Sequence, residues 1–283
     1  MPFLRSVTLK PARPTDAAES YPFSVPAVRA MRELKFPTQV TFLVGENGSG
    51  KSTLLEGIAA AARLPTVGAE SIEDDATLAP ARALAARLSL SWSPRTHKGF
   101  FLRAEDFFGF AKTVAKLRAE MLNRVAEVNE EFKDASAYAR GLAAGPALTS
   151  IGELERRYGV DLDANSHGQS FLKLFQSRLV GGGLYLLDEP EAPLSPTSQL
   201  ALMAMIFDML VPGSTPSQFI IATHSPILLA FPGATIYTFD QSPFAAVAYA
   251  DLEHVNLTRD FLNDPSIFLR HLMDPDLDRP TDV

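Results

Sequence analysis

The chain has 283 residues, 46% of them hydrophobic, a formal net charge of −7 and no cysteine. That content suffices to bury a sizeable core in one large domain or two small ones and excludes a disordered chain. The missing thiols exclude a disulfide framework, cysteine catalysis and Cys-based zinc sites and agree with a cytoplasmic, reducing setting. The acidic balance weighs against a surface that is basic throughout and leaves nucleic-acid binding to a local patch.

In chain order, the N-terminal MPFLRSVTLK lacks the apolar core of a signal peptide. Residues 1–44 read as β-rich: FLRSVTL (3–9), YPFSVPAV (21–28) and TQVTFLV (38–44) are short runs with β-branched and aromatic residues between Pro-containing turns. The third run leads into GENGSGKS (45–52), after which TLLEGIAAAARL has helical spacing. Residues 64–84, rich in Pro, Gly and acids, read as a surface loop. RLSLSWS and KGFFLR follow as strands, then a long helical stretch from about Glu105 to Leu142. The most apolar run, FIIATHSPILLAF (219–231), is broken by polar residues and is too short to span a bilayer. The five histidines, at 97, 167, 224, 254 and 271, have neither HxxxH nor HExxH spacing, so no transition-metal site is expected.

Strand, GENGSGKS, helix is the context that a phosphate-binding P-loop needs. Gly45, Gly48 and Gly50 let the backbone fold so that the amides from Gly45 through Glu46, Asn47, Gly48 and Ser49 to Thr53 turn toward phosphate oxygens. Lys51 then reaches the β- and γ-phosphates and Ser52 offers its hydroxyl to Mg²⁺. A chance match of this pattern in a chain of ordinary composition is roughly a one-in-a-hundred event, and the flanking strand and helix lower that further.

The second half supplies carboxylates. In GGGLYLLDEPEAPLSP (181–196) an apolar strand ends in Asp188 and Glu189, as a buried parallel strand delivering acids at its C-terminal end would. Neighbours on a strand face opposite ways, but where the chain turns at the strand end both can reach one pocket. Asp188 then holds Mg²⁺ and Glu189 polarises the attacking water; alone, the pair would read as turn acids before Pro190. QFIIAT (218–223) ends at His224, which by itself reads as a strand-end residue and beside the other two strands as a donor to the γ-phosphate or the water. NSHGQSF (165–171) opens an amphipathic run, and Ser166 with Gln169 fits a capping box. A capped helix start also presents N–H groups to an anion.

GENGSGKS, SHGQ, LYLLDEPEA and IATHSP, in this order, resemble the P-loop, signature, acidic strand and switch histidine of ABC-type ATPase domains across essentially the whole chain. The resemblance is to the stand-alone AAA-family ATPases akin to SMC, RecF and OLD proteins more than to transporter subunits: the signature reads Ser166-His167-Gly168-Gln169, and Ser195 falls where transporters carry an aspartate. It implies a single α/β P-loop NTPase domain over residues 1–283, with an N-terminal antiparallel β-layer, a mixed sheet and a helical subdomain at about 105–180. It also implies ATP and Mg²⁺ as cofactors, and a head-to-tail dimer of two copies of the chain in which Ser166, Gly168 and Gln169 meet the γ-phosphate held by the partner. DNA repair, phage defence and toxin-like roles all use this ATPase type, with an effector protein the sequence does not identify. Lys51 and Asp188 are 137 residues apart, too few for an SMC-like rod, and residues 105–140 carry six basic against seven acidic side chains, so the lobe is no obvious DNA-binding arm. By the resemblance, Glu105 stands at the metal-proximal Q-loop position, with Arg103 its competitor, and Tyr21 or Phe23 packs on adenine or belongs to the core. A slow ATP-gated switch and a transporter motor subunit are the competing functions.

Overall fold

The computed structural model describes residues 1–11, 20–67, 78–158, 167–211, 215–241 and 243–273. Its centre is a six-stranded sheet in the order β5 (Gly99–Arg103), β6 (Leu184–Asp188), β7 (Gln218–Ala222), β3 (Val40–Val44), β8 (Thr235–Thr238), β9 (Ala245–Ala246). All pairings are parallel except that of β8 with β9. Continuous apolar runs such as LYLL and FII form such strands because both sheet faces are covered, and side chains alternate between them. Leu43, Leu184, Leu186, Ile220 and Phe101 enter one core, whereas Phe42, Tyr185, Leu187, Phe219 and Phe100 enter the other. Each large side chain so buried contributes about 1.5–3 kcal/mol. Tyr185, fully buried, keeps its hydroxyl satisfied by donating to Val180 O at 2.6 Å and accepting from Val180 N at 2.7 Å.

On the first face lies α2 (Lys51–Ala62), which buries Leu54, Leu55, Ile58 and Ala59 together with residues of α3 (Ala79–Arg87) and of a three-stranded antiparallel sheet, β2 (Glu33–Lys35), β1 (Leu4–Leu9), β4 (Leu88–Trp92). Gln218, fully buried, joins the two sheets: its Oε1 accepts from Leu4 N at 2.8 Å and its Nε2 donates to Leu4 O at 2.9 Å. On the second face, α6 (His167–Arg178) contributes Phe171, Leu174 and Phe175, α7 (Pro196–Asp208) Leu202 and Ile206, α8 (Pro226–Leu229) Leu228 and Leu229, and α9 (Glu253–Asn263) Val255. The chain continues into α10 (Pro265–Met273). The α/β class, the antiparallel N-terminal layer and the mixed sheet are as expected.

Three local expectations are corrected. YPFSVPAV is not a strand: residues 20–25 turn and α1 (Pro26–Ala30) follows, because Pro26 at the first helical position pre-sets the helical φ while Val25 stays extended as its N-cap. Residues 79–84 are not loop but the start of α3, where Pro80 again occupies the first turn and the alanines that follow favour helix; residues 68–77 lie outside the described part. The long helical stretch is two helices, α4 (Ala104–Glu131) and α5 (Ala137–Tyr158), because Ser136 accepts the Ala139 N–H at 3.2 Å and so starts a new helix.

Candidate functional site

β3 ends at Val44 and α2 begins at Lys51, so GENGSG is the turn between them. Gly45, Gly48 and Gly50 have φ of 147°, 80° and 102°. At Gly50 an added Cβ would lie 2.5 Å from Val25 Cγ1, so neither the backbone angle nor the space admits a side chain. Buried Lys51 donates from Nζ to Gly45 O at 2.6 Å and to Glu46 O at 3.0 Å. Burial pushes its pKa down, against the pull of Glu189, Asp188, Asp240 and Glu46. The Glu46 amide donates to Asp240 Oδ1 at 2.6 Å, and Asp240 is itself held by Thr238. Ser49 Oγ is buried and has no partner among the described residues.

Register brings the other strand ends level with this loop. Asp188 pairs with Ala222 and Leu43 with Ala222, so the residues that follow β3, β6 and β7 emerge along one edge. Ser52 Oγ donates to Asp188 Oδ1 at 3.0 Å, joining the P-loop helix to the acidic strand. Burial raises Asp188 to a pKa of about 7, with the Ser52 hydrogen bond opposing and Glu189 and Glu56 adding to the rise. Glu189 has φ 49°, a left-handed angle that is uncommon outside glycine and concentrates at functional sites. The turn it makes lets both neighbouring acids reach one side: Asp188 meets Ser52, and Glu189 Oε1 lies 3.8 Å from His224 Nε2. His224 donates its backbone N–H to Glu191 Oε1 at 2.7 Å, which fixes the turn beyond β7.

A hydroxyl and a carboxylate are hard oxygen donors suited to Mg²⁺, and a divalent cation would offset the burial that holds the Asp188 carboxyl near 7. Among the described residues no group of three or more His, Cys, Asp or Glu could hold a metal ion.

The remaining expected residues are placed less completely. Ser166 lies outside the described residues, as do the side chains of His167 and Glu105. Gly168 is buried at the start of α6, where a Cβ would approach Pro193 O at 3.1 Å and Ser198 Oγ at 3.4 Å, and Gln169 is exposed. Arg103, level with Asp188 in the sheet, pairs with Glu56 of α2 at 3.5 Å. Of the two aromatics, Phe23 packs against the first core with Arg87 over its ring at 4.5 Å, whereas Tyr21 is half exposed with its hydroxyl 3.1 Å from Thr53 Oγ1. Sequence reasoning passed over Glu191 and Asp240. For Asp240 a signal existed, since TIYTFD is one more apolar strand ending in an acid.

Residues 28–63, from α1 through α2, match the family model of an AAA domain. The matched stretch holds β2, β3, the glycine-rich turn and α2. Among solved structures, the chain is similar to CbiO1 from Clostridium perfringens, part of the ABC transporter complex CbiONQ, at 17% identity and a TM-score of 0.44, over 96% of this chain and 99% of that one. It is also similar to the SMC head domain from Thermotoga maritima at 15% identity and a TM-score of 0.36, over 87% of this chain and 98% of that one. No curated protein matches the sequence. Among the described residues no helix is long and apolar enough to cross a membrane.

Proposed function

We propose that the chain is a single cytoplasmic ATPase domain, with a helical lobe at about residues 105–180, that binds Mg²⁺ and ATP and hydrolyses the nucleotide between two copies of itself. The observation that carries this reading is the Ser52–Asp188 hydrogen bond of 3.0 Å, which sets the phosphate loop against the acidic strand that ends in Glu189. Lys51 and the loop amides hold the β- and γ-phosphates. Ser52 and Asp188 would hold Mg²⁺, which when bound neutralises phosphate charge, and Glu105 is proposed near it. Glu189 accepts a proton from the attacking water, whose oxygen bonds to the γ-phosphorus as the bond to the bridging oxygen breaks, giving ADP and phosphate. His224, 3.8 Å from Glu189, orients that water or the γ-phosphate. Ser166, Gly168 and Gln169 at the start of α6 serve the nucleotide of the partner copy, and dimer closure is the signal that an effector, in DNA repair or phage defence, reads.

Glu189→Gln tests this. The amide keeps the shape and removes the base, so turnover should fall by about 10²–10⁴-fold while ATP still binds and accumulates a dimer in size-exclusion chromatography. A variant that loses ATP affinity with turnover per bound nucleotide intact would make Glu189 a binding residue and remove the reading.

A further inference from the structure

The peptide unit that joins Gly45 to Glu46 is held at both ends. Its N–H, on Glu46, donates to Asp240 Oδ1 at 2.6 Å, and its carbonyl, on Gly45, accepts from Lys51 Nζ at 2.6 Å. A carboxylate and an ammonium are thus joined through one trans peptide, whose planar geometry points N–H and C=O in opposite directions. Both bonds involve an ionised group and are stronger than bonds between neutral partners.

Strand register puts Asp240 there. β8 runs parallel to β3 with Thr238 level with Val44, and Phe239 N donates to Val44 O at 2.7 Å, so the next residue comes beside the first peptide of the loop. Phe239, buried in the first core and stacked on Phe244 with ring centroids 5.2 Å apart, anchors this end of β8. Thr238 orients the carboxylate: its Oγ1 donates to Asp240 Oδ2 at 3.2 Å and accepts from Asp240 N at 3.3 Å. A Cβ at Gly45 would lie 2.9 Å from Asp240 Oδ1, so the acid comes this close because residue 45 is glycine. Glycine also leaves the peptide that follows it free to rotate, and a rotation would turn the Gly45 carbonyl away from Lys51. The hold on that orientation has to come from outside the loop.

We infer that Asp240 is a positioning residue of the phosphate loop: by holding the Glu46 N–H it keeps the Gly45 carbonyl turned to Lys51 and so fixes where the ammonium meets phosphate. This rests on the ATPase reading above. It adds a fourth strand end, that of β8, to a site otherwise built from β3, β6 and β7.

The test is steady-state ATP hydrolysis with Mg²⁺ by the full chain and its Asp240→Ala, Asp240→Asn and Thr238→Val variants, with calorimetric titration of ATP alongside. Alanine and asparagine both remove the charge, but only asparagine keeps an oxygen in the place of Oδ1, so their difference reads the hydrogen bond alone. A misplaced Lys51 grips phosphate less well in the ground state and the transition state alike. Asp240→Ala should therefore raise KM and the ATP dissociation constant together, about tenfold, with kcat within about twofold. Asp240→Asn should recover most of that loss. Thr238→Val should show a smaller rise in KM that adds nothing in the Thr238→Val/Asp240→Ala double variant. An unchanged KM in Asp240→Ala, even with a lowered melting temperature, would overturn the assignment and leave Asp240 a residue of fold stability. Asp240→Asn as impaired as Asp240→Ala would overturn it too, since charge and not the peptide would then carry the effect. Absence of ATP binding in the unmodified protein would instead overturn the ATPase reading, and this inference with it.

Discussion

At the C-terminal ends of β3, β6 and β7, strand register brings the glycine-rich turn, Asp188 and His224 to one edge, where Ser52 meets Asp188 within one chain. At the start of α6 the arrangement is different: Gly168 meets Pro193 and Ser198 behind it, while Gln169 is exposed and meets no P-loop residue in any hydrogen bond described. The strand ends carry side chains that meet one another within one chain. The described start of α6 is filled behind Gly168 and exposed at Gln169. A group of residues joined within one chain can act in the monomer, whereas an exposed helix start acts only when something is brought to it, and mutation can separate those two behaviours.

The largest effect should come from the strand-end side. Lys51→Ala removes a buried cation that lies between two acids and the phosphate loop, and ATP affinity measured by titration should fall at least about 100-fold with hydrolysis lost. Unchanged turnover in the pure variant would show that the strand ends are not the ATP site. Next in size is Ser166→Arg, which puts a bulky side chain into the SHGQ stretch: the variant should bind ATP as a monomer, without dimer or turnover. Mixing it with Lys51→Ala chains pairs one intact P-loop with one intact signature, so up to about half of a dimer's activity should return. Full activity of Ser166→Arg alone would reduce the α6 terminus to a helix cap.

The smallest effect concerns pH and sharpens the strand-end side further. Asp188 titrates near 7 in the folded chain, so between pH 8 and pH 6 a proton increasingly competes with Mg²⁺ and apparent Mg²⁺ affinity should fall about tenfold. Asp188→Asn should bind Mg²⁺ weakly at both values, without that slope. The sign for folding is opposite to that of a paired carboxylate. The native chain keeps this proton above the ordinary value of 3.8, so its contribution to stability declines as pH rises from there to about 7. Thermal melts of Asp188→Asn should therefore gain on the unmodified protein as pH rises.

The parts of this molecule that sequence exposes are those with a chemical necessity in a short window. GENGSGKS needs its glycines and lysine in place, and LYLLDE and QFIIATH need an apolar strand followed by a polar residue, so both the parallel sheet and the strand-end site were legible. Where long-range packing decides, they were not. Val25 looks like a strand residue, yet its partner is the backbone of Gly50, and its extended conformation serves to start a helix at Pro26. Glu191 reads as a turn acid until its carboxylate is seen to accept the His224 amide 33 positions away.

The Arg103–Glu56 ion pair, 3.5 Å long and mostly shielded from water, has a mechanical meaning. Arg103 is the last residue of β5 and α4 starts at the next position, while Glu56 sits on the second turn of the helix that carries Lys51. The pair is therefore a fulcrum between the phosphate loop and a lever of 28 residues. At 1.5 Å per residue that arm is about 42 Å long, so a tilt of about 5° at Arg103 carries its far tip roughly 4 Å.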